Sequence, residues 1–259
     1  MRICVTCGVQ QPPVYETCPI CNDERQFVGF DGQQWTTPAK LRAGHRNTIE
    51  QLEDHVFSFW TQPKFAIGQR CLLIQTPHGN ILWDCISLLD DQTFGRIQEL
   101  GGISAIAISH PHYYSTFVDW SHAFGTAPVF IHSDDGQWVM RPDPCIQLWN
   151  GETLPLNPDM TLIRCGGHFE GAQVLHWTAG ALFSGDVIQV VPDRRWVSFM
   201  RSYPNYIPLS ASKVRQIAAA VKPFHFDRLY GAWPKFEILS DANGAIQRSA
   251  DRYIQAVIE

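Results

Sequence analysis

Apolar residues along this chain fall in short runs rather than in long helical stripes. Val56–Trp60, Arg70–Thr76, Asn80–Asp84 and Ile103–Ser109 each read as a strand. Short apolar runs bounded by turn residues describe strands with little free surface. Pro77-His78-Gly79 marks a turn between the second and third of them. Asp90 stands as a helix cap ahead of Phe94, Ile97 and Leu100, and Gly101-Gly102 ends that helix. Further strands are expected at Pro128–Ile131, Thr161–Arg164, Gln173–Trp177, Ala181–Ser184 and Phe226–Tyr230. Ser210 caps a helix running to Val221. Asp241 caps a last one, with Ile246, Ala250, Tyr253, Ile254 and Val257 on one face. Strands dominate early and then alternate with helices, which predicts layers of helix against sheet.

The first 54 residues lack this texture. Residues 22–54 are polar and mixed, and Trp35-Thr36-Thr37-Pro38 reads as a linker. Ahead of them stand Cys4-x2-Cys7 and Cys18-x2-Cys21, ten residues apart. Each pair can wrap a turn around one ion, and two such turns supply a tetrahedral shell of four sulfurs. Gly8 and Pro19 suit those turns. About 20 residues cannot bury a core, so metal binding must supply much of the folding energy there. Cys-x-x-Cys-Gly with Cys-Pro-x-Cys resembles zinc ribbons and rubredoxins alike. A structural zinc ion is the reading adopted, with iron as the rival. The expected organisation is residues 1–35 as knuckle and linker and 36–259 as the main domain.

Composition narrows the function classes. The chain has 259 residues, 45% hydrophobic and 17% charged, with a net charge of −5. No Lys/Arg run marks a nucleic-acid partner, and no apolar stretch reaches the length of a membrane span. The segment Met1–Cys7 has no apolar character of a secretory leader, so a cytoplasmic protein is expected. Cys71, Cys85, Cys145 and Cys165 stand singly and are expected as reduced core residues.

The candidate chemistry lies where strands end. Ile103–Ser109 runs into His110-Pro111-His112-Tyr113-Tyr114-Ser115, Thr161–Arg164 is followed by Gly166-Gly167-His168, and Ala181–Ser184 by Gly185-Asp186. Three neutral imidazoles and a carboxylate suit zinc or iron. His132 is the other histidine to watch, since it ends a strand near Asp134-Asp135.

In order and spacing, Trp83-Asp84-Cys85, Ser109-His110-Pro111-His112, Gly167-His168 and Gly185-Asp186 resemble the metallo-β-lactamase superfamily, from about Val56 to the C-terminus. The resemblance implies an α+β fold of αββα type, a four-layer αβ/βα sandwich with the metal site at one sheet edge. The four-cysteine zinc knuckle is then an added module. It is expected to stabilise the N-terminus or to present it to a protein partner. The family's histidine motif reads H-x-H-x-D-H, and here Tyr114 and Ser115 stand at its last two places. Tyr230-Gly231-Ala232-Trp233 stands where the family supplies a late histidine, and Trp233 is expected to fill that space. The resemblance therefore implies a single Zn2+ or Fe2+ held by His110, His112, His168 and Asp186. Asp186 and Tyr114 are the candidate catalytic residues, with Tyr114 expected to lie near the ion.

A metal-dependent hydrolase of an ester, thioester or phosphoester small molecule is the leading expectation. An iron oxygenase resembling persulfide dioxygenases, through His110, His168 and Asp186, is the second. A non-catalytic scaffold is the third. Pro192–Tyr206, with Arg194, Arg195, Trp196, Arg201 and Tyr203, is expected to border the site and bring positive charge toward an anionic substrate.

Overall fold

The computed structural model describes residues 1–258. Two mixed sheets face one another. The first has seven strands in the order Ile146–Trp149, Val129–His132, Ala105–Ala107, Ile81–Trp83, Arg70–Ile74, Val56–Gln62 and Arg46–Glu53. The second has six: Thr153–Pro155, Met160–Arg164, Gln173–Trp177, Ala181–Gly185, Arg228–Gly231 and Glu237–Ile238.

Strand alternation explains the layering. In Arg70–Ile74, Leu72 and Ile74 point into a core between the sheets, where they join Trp83, Leu162, Leu175, Phe183 and Tyr230. Cys71 and Leu73 point the other way, into a second core with Phe117, Val118 and Trp120 of helix Phe117–Ala123. A strand buried on both faces cannot show polar alternation, which is why these strands appear as continuous apolar runs. On the far side, helices Ala211–Val221 and Ala242–Ile258 lay Val214, Ile217, Ala245 and Ile246 against Val174, Leu182 and Leu229. The result is the expected helix–sheet–sheet–helix sandwich.

Most sequence-derived elements are present with shifted ends, and two caps form as read. The Asp90 carboxylate accepts from the Thr93 amide, and the Ser210 hydroxyl from the Lys213 amide. Asp241 precedes the last helix at φ +58°, but its carboxylate binds Arg248 (2.7 Å) instead of a helix amide. The free cysteines 71, 85, 145 and 165 are all buried.

The N-terminal segment departs most from its reading. Trp35–Thr36 is no linker: it pairs with Arg2–Cys4 in a three-stranded sheet with Gln10–Gln11. Thr37 then caps helix Pro38–Gly44, with proline in its first turn. The polar stretch 22–54 also contains strand Arg46–Glu53, the sheet's edge strand. An edge strand buries little, so it needs few apolar residues. The knuckle packs onto the body. Cys4, Cys7, Val9, Cys18 and Ile20 share one apolar cluster with Tyr113, Tyr114 and Phe117. Gly8 sits at this junction at φ +82°, where a Cβ would come within 2.4 Å of Ser87 Oγ, and the Ser87 hydroxyl donates to the Gly8 carbonyl. Among the described residues, no helix is long and apolar enough to cross a membrane.

Candidate metal centres

The knuckle sulfurs converge. Cys4 Sγ lies 3.6 Å from Cys21 Sγ, Cys7 Sγ lies 3.7 Å from Cys18 Sγ, and all four fall within 4.8 Å of one another. That is far too long for disulfides. A tetrahedral shell with Zn–S near 2.3 Å spaces its sulfurs by about 3.8 Å, so the set fits such an ion. Side-chain amides point at the sulfurs, Gln11 Nε2 at Cys18 (3.1 Å) and Gln33 Nε2 at Cys4 (3.2 Å). Sulfurs this close contest ionisation. Hydrogen bonds from the other three, Cys18 first, hold Cys4 low. Burial pushes Cys7 up, and the hydrogen bond with Cys18 does the same to Cys21. A bound cation removes that conflict, because a coordinating thiol is deprotonated outright.

The second centre is assembled from four separate chain segments. The parallel strand Ala105–Ala107 leads to Ser109, whose amide donates to Asp84 Oδ1 (2.7 Å). Asp84 itself sits at φ +58° just past strand Ile81–Trp83, so a strained carboxylate pins the backbone that aims His110. Pro111 opens a 3-10 turn, Pro111–Tyr113, that swings His112 back toward His110. His168 comes from the loop after Met160–Arg164, and Asp186 follows strand Ala181–Gly185. Gly185 is at φ +57°, with room for no Cβ against Ser109 Oγ at 2.7 Å.

The second nitrogen of each histidine decides which atom faces inward. His110 Nδ1 bonds Ser109 Oγ (2.9 Å) and His168 Nδ1 bonds the Met200 carbonyl (3.0 Å), which leaves both Nε2 atoms facing the centre. His168 Nε2 lies 3.3 Å from His112 Nδ1. His110 Nε2 lies 3.1 Å from Asp186 Oδ1, yet neither atom has a hydrogen-bond partner. Buried polar atoms left unpaired cost about 1–3 kcal/mol each. Three imidazoles gathered around one buried point, with the Asp186 carboxylate against His110 alone and unpaired polar atoms among them, fit a metal ion. Burial drives His110 and His112 well below the ordinary imidazole pKa and His168 to about 4, so all three stay neutral, the ligand form. Burial also raises Asp186 to about 7. The Phe169 ring packs on all three imidazoles, with centroids 4.9–5.5 Å away.

Tyr114 is not at the centre. Its hydroxyl donates to the Asp135 carbonyl (3.1 Å), and the aromatic beside His110 is Tyr113, at 4.5 Å between ring centroids. The 3-10 turn produces this exchange, since it rotates the chain by about a third of a turn per residue. The Tyr113 hydroxyl is buried without a partner. Ser115 bonds the Cys85 carbonyl through its hydroxyl (3.1 Å), and its own carbonyl accepts from the Gln10 amide of the knuckle (2.8 Å). Trp233 does border the pocket, alongside His112, His168 and Asp186.

The side chains of the expected arginines do not line this pocket, although the Arg201 charge reaches His168 and helps hold its pKa down. Arg195 pairs with Asp193 (2.6 Å), Arg201 with Glu24 (2.5 Å), and Arg194 donates to the carbonyls of Val191 and Lys235. From that loop Tyr203 arrives instead, its hydroxyl donating to the Asp186 carbonyl (2.9 Å). His132 is occupied by the Gly151 carbonyl and the Asp134 amide. Sequence reasoning also missed Arg25, which donates to the His168 carbonyl (3.4 Å) and lies 3.9 Å over Phe169. No local pattern marks Arg25, which lies 143 residues away from His168. Wider hollows of ≈ 500 and ≈ 570 Å³ lie elsewhere and include none of these residues.

No family model matches the chain. It is 52% identical over 265 residues to YmaE of Bacillus subtilis strain 168, an uncharacterized protein, covering 98% of this chain and 96% of that one. Among solved structures it resembles the metallo-β-lactamase FIM-1 of Pseudomonas aeruginosa in its mono-zinc form (TM-score 0.61, 14% identity, 82% of this chain and 97% of that one). It also resembles DIM-1 metallo-β-lactamase (0.62, 13%, 82% and 98%). A third neighbour is a metallo-β-lactamase of Erythrobacter litoralis (0.58, 17%, 81% and 96%). Identities this low speak for the fold alone. With both comparisons and the two donor clusters in view, the chain belongs to the family of YmaE, and it has the metallo-β-lactamase fold with a four-cysteine knuckle at its own N-terminus.

Proposed function

We propose that the chain is a metal-dependent hydrolase working with one metal ion, held by His110, His112 and His168 with Asp186 beside them. The observation that carries this reading is the convergence of three neutral imidazoles on one buried point, with the Asp186 carboxylate beside His110 and both His110 Nε2 and Asp186 Oδ1 unpartnered. A divalent metal there supplies Lewis-acid chemistry, lowering the pKa of water to about 7 and polarising a substrate oxygen. The chain's own groups do the rest. The three imidazoles present neutral donors because burial keeps protons off them. Asp186, beside them, would orient a water or take its proton at the carboxylate. Tyr203 and Gly185 fix where that carboxylate points. Phe169, with Trp138 edge-on behind it (5.6 Å), excludes water from the back of the centre.

One ion rather than two is favoured by what occupies the neighbouring positions. The Tyr114 and Ser115 side chains bond to backbone carbonyls, and Trp233 contributes an indole whose N–H donates to the Ile67 carbonyl (3.1 Å). None of these is a metal donor of ordinary strength. Zinc is the preferred ion in both centres, and one neighbour of this fold is itself a mono-zinc form.

The test is metal analysis of protein purified without added metal, together with hydrolysis of p-nitrophenyl acetate. Two zinc equivalents per chain are expected, one lost in His110→Ala and in His168→Ala together with the esterase activity. Three equivalents would defeat the single-ion reading, and iron at the histidines with oxygen uptake would replace the hydrolase by an oxygenase.

A further inference from the structure

The segment following the knuckle runs along one side of the histidine pocket. It begins at Asn22, next to Cys21, with the Asn22 amide donating to the Cys18 carbonyl (3.0 Å). Its backbone is then pinned from the body. Asn205 Nδ2 donates to the carbonyls of Glu24 (2.9 Å) and Gln26 (2.8 Å), and the Ser202 hydroxyl to that of Arg25 (3.2 Å). The Arg25 side chain is clamped by the Asp23 carboxylate (2.5 and 2.8 Å), reaches the His168 carbonyl and covers Phe169. One residue beyond Gln26, Phe27 is left 45% exposed beside the pocket.

The pocket it borders is small, ≈ 90 Å³, well under the roughly 300 Å³ of a site for a drug-sized ligand. Besides the metal-binding residues and Tyr203, its walls include Arg25 and Gln26 and the apolar Ile67, Pro204 and Trp233. The nearby cations are already paired, Arg25 with Asp23 and Arg201 with Glu24, so their charge is largely offset before any substrate arrives.

We propose that Phe27, held in place by the body's grip on Arg25 and on the Glu24 and Gln26 carbonyls, is a specificity-determining residue of the metal pocket and restricts it to a small, uncharged acyl group. The segment that follows the four-cysteine module is then a wall of the active site. The substrate class rests on the hydrolase reading above, whereas the wall does not.

The experiment compares the full chain with its Phe27→Ala variant in two ways. The first is kcat/KM on p-nitrophenyl acetate, p-nitrophenyl hexanoate and bis(p-nitrophenyl) phosphate. The second, on cobalt-loaded protein, is the rate at which pyridine-2,6-dicarboxylate strips the histidine-held ion, followed apart from the thiolate-to-cobalt absorption of the knuckle. The wild type is expected to prefer acetate to hexanoate and to leave the phosphodiester intact. Phe27→Ala is expected to raise the hexanoate-to-acetate ratio by about tenfold, the usual scale for opening an apolar pocket, and to speed stripping several-fold with the thiolate absorption unchanged. If the esters are cleaved, an unchanged ratio overturns the proposal, as does preferential cleavage of the phosphodiester. If neither protein cleaves an ester, the hydrolase reading and with it the acyl assignment fail. The stripping rate then decides the wall by itself: faster loss upholds it, and an unchanged rate overturns it.

Discussion

Asp186 owes its place to a residue that offers the ion no donor atom of its own. The Tyr203 hydroxyl donates to the Asp186 carbonyl (2.9 Å) and so fixes the backbone from which the carboxylate projects. Asp84 does the same for His110 through the Ser109 amide. Groups that orient a ligand in this way typically matter by about 10–100-fold in metal affinity. Tyr203→Phe keeps the ring and loses only the donor. We expect it to weaken binding at the histidine site by about tenfold in a competitive chelator titration while leaving the four-cysteine site unchanged. Equal weakening at both sites would mean that the hydroxyl supports the fold in general. The two adjacent tyrosines show how much of a residue's role is invisible locally. Tyr113 and Tyr114 are chemically identical neighbours, both fully buried. One ring meets His110, while the other residue's hydroxyl meets the Asp135 carbonyl, because one tight turn separates their directions.

At the scale of elements, every donor of the main centre follows a strand. The strand runs themselves were legible, since an uninterrupted apolar stretch describes a strand covered on both faces. The elements that escaped notice bury least. Arg46–Glu53 is an edge strand with Asn47 as its only fully buried residue, and Trp35–Thr36 is only two residues long. The joint between the knuckle and the body is an element-level device as well. Gly8 holds φ +82° with Ser87 Oγ where a Cβ would stand. Gly8→Ala adds both backbone strain and overlap, and a cost of about 1–3 kcal/mol is expected. Limited proteolysis reads it out: cleavage between residues 22 and 37 should become faster than in the wild type. An unchanged digestion pattern would show that the joint does not depend on this contact.

For the whole molecule, the knuckle and the sandwich share one apolar cluster that runs from the cysteine ligands to Tyr113, Tyr114 and Phe117. Metal at the four thiolates therefore supports the same packing that carries His110 and His112. Cys7→Ser removes one ligand, and a loss of about 3 kcal/mol corresponds to roughly 6–12 °C in Tm for a chain of this size. A single melting transition shifted downward is expected in calorimetry. A separate early transition of the N-terminus with the main Tm unchanged would contradict the shared core.

The sequence by itself marked the candidate donors. Cysteine pairs and a strand-end histidine motif are local patterns, and the ligand types dictate the class of metal chemistry without reference to the fold. It also determined the layering, because apolar runs and helix faces leave few ways to be buried. Only the tertiary structure decided what surrounds the donors. Arg25 reaches His168 across 143 residues, Tyr203 alone among the residues named in its segment lines the pocket, and Phe27 borders the pocket from a segment that looked like a linker to something else. Such contacts depend on where distant segments meet, and no periodicity within either segment records it.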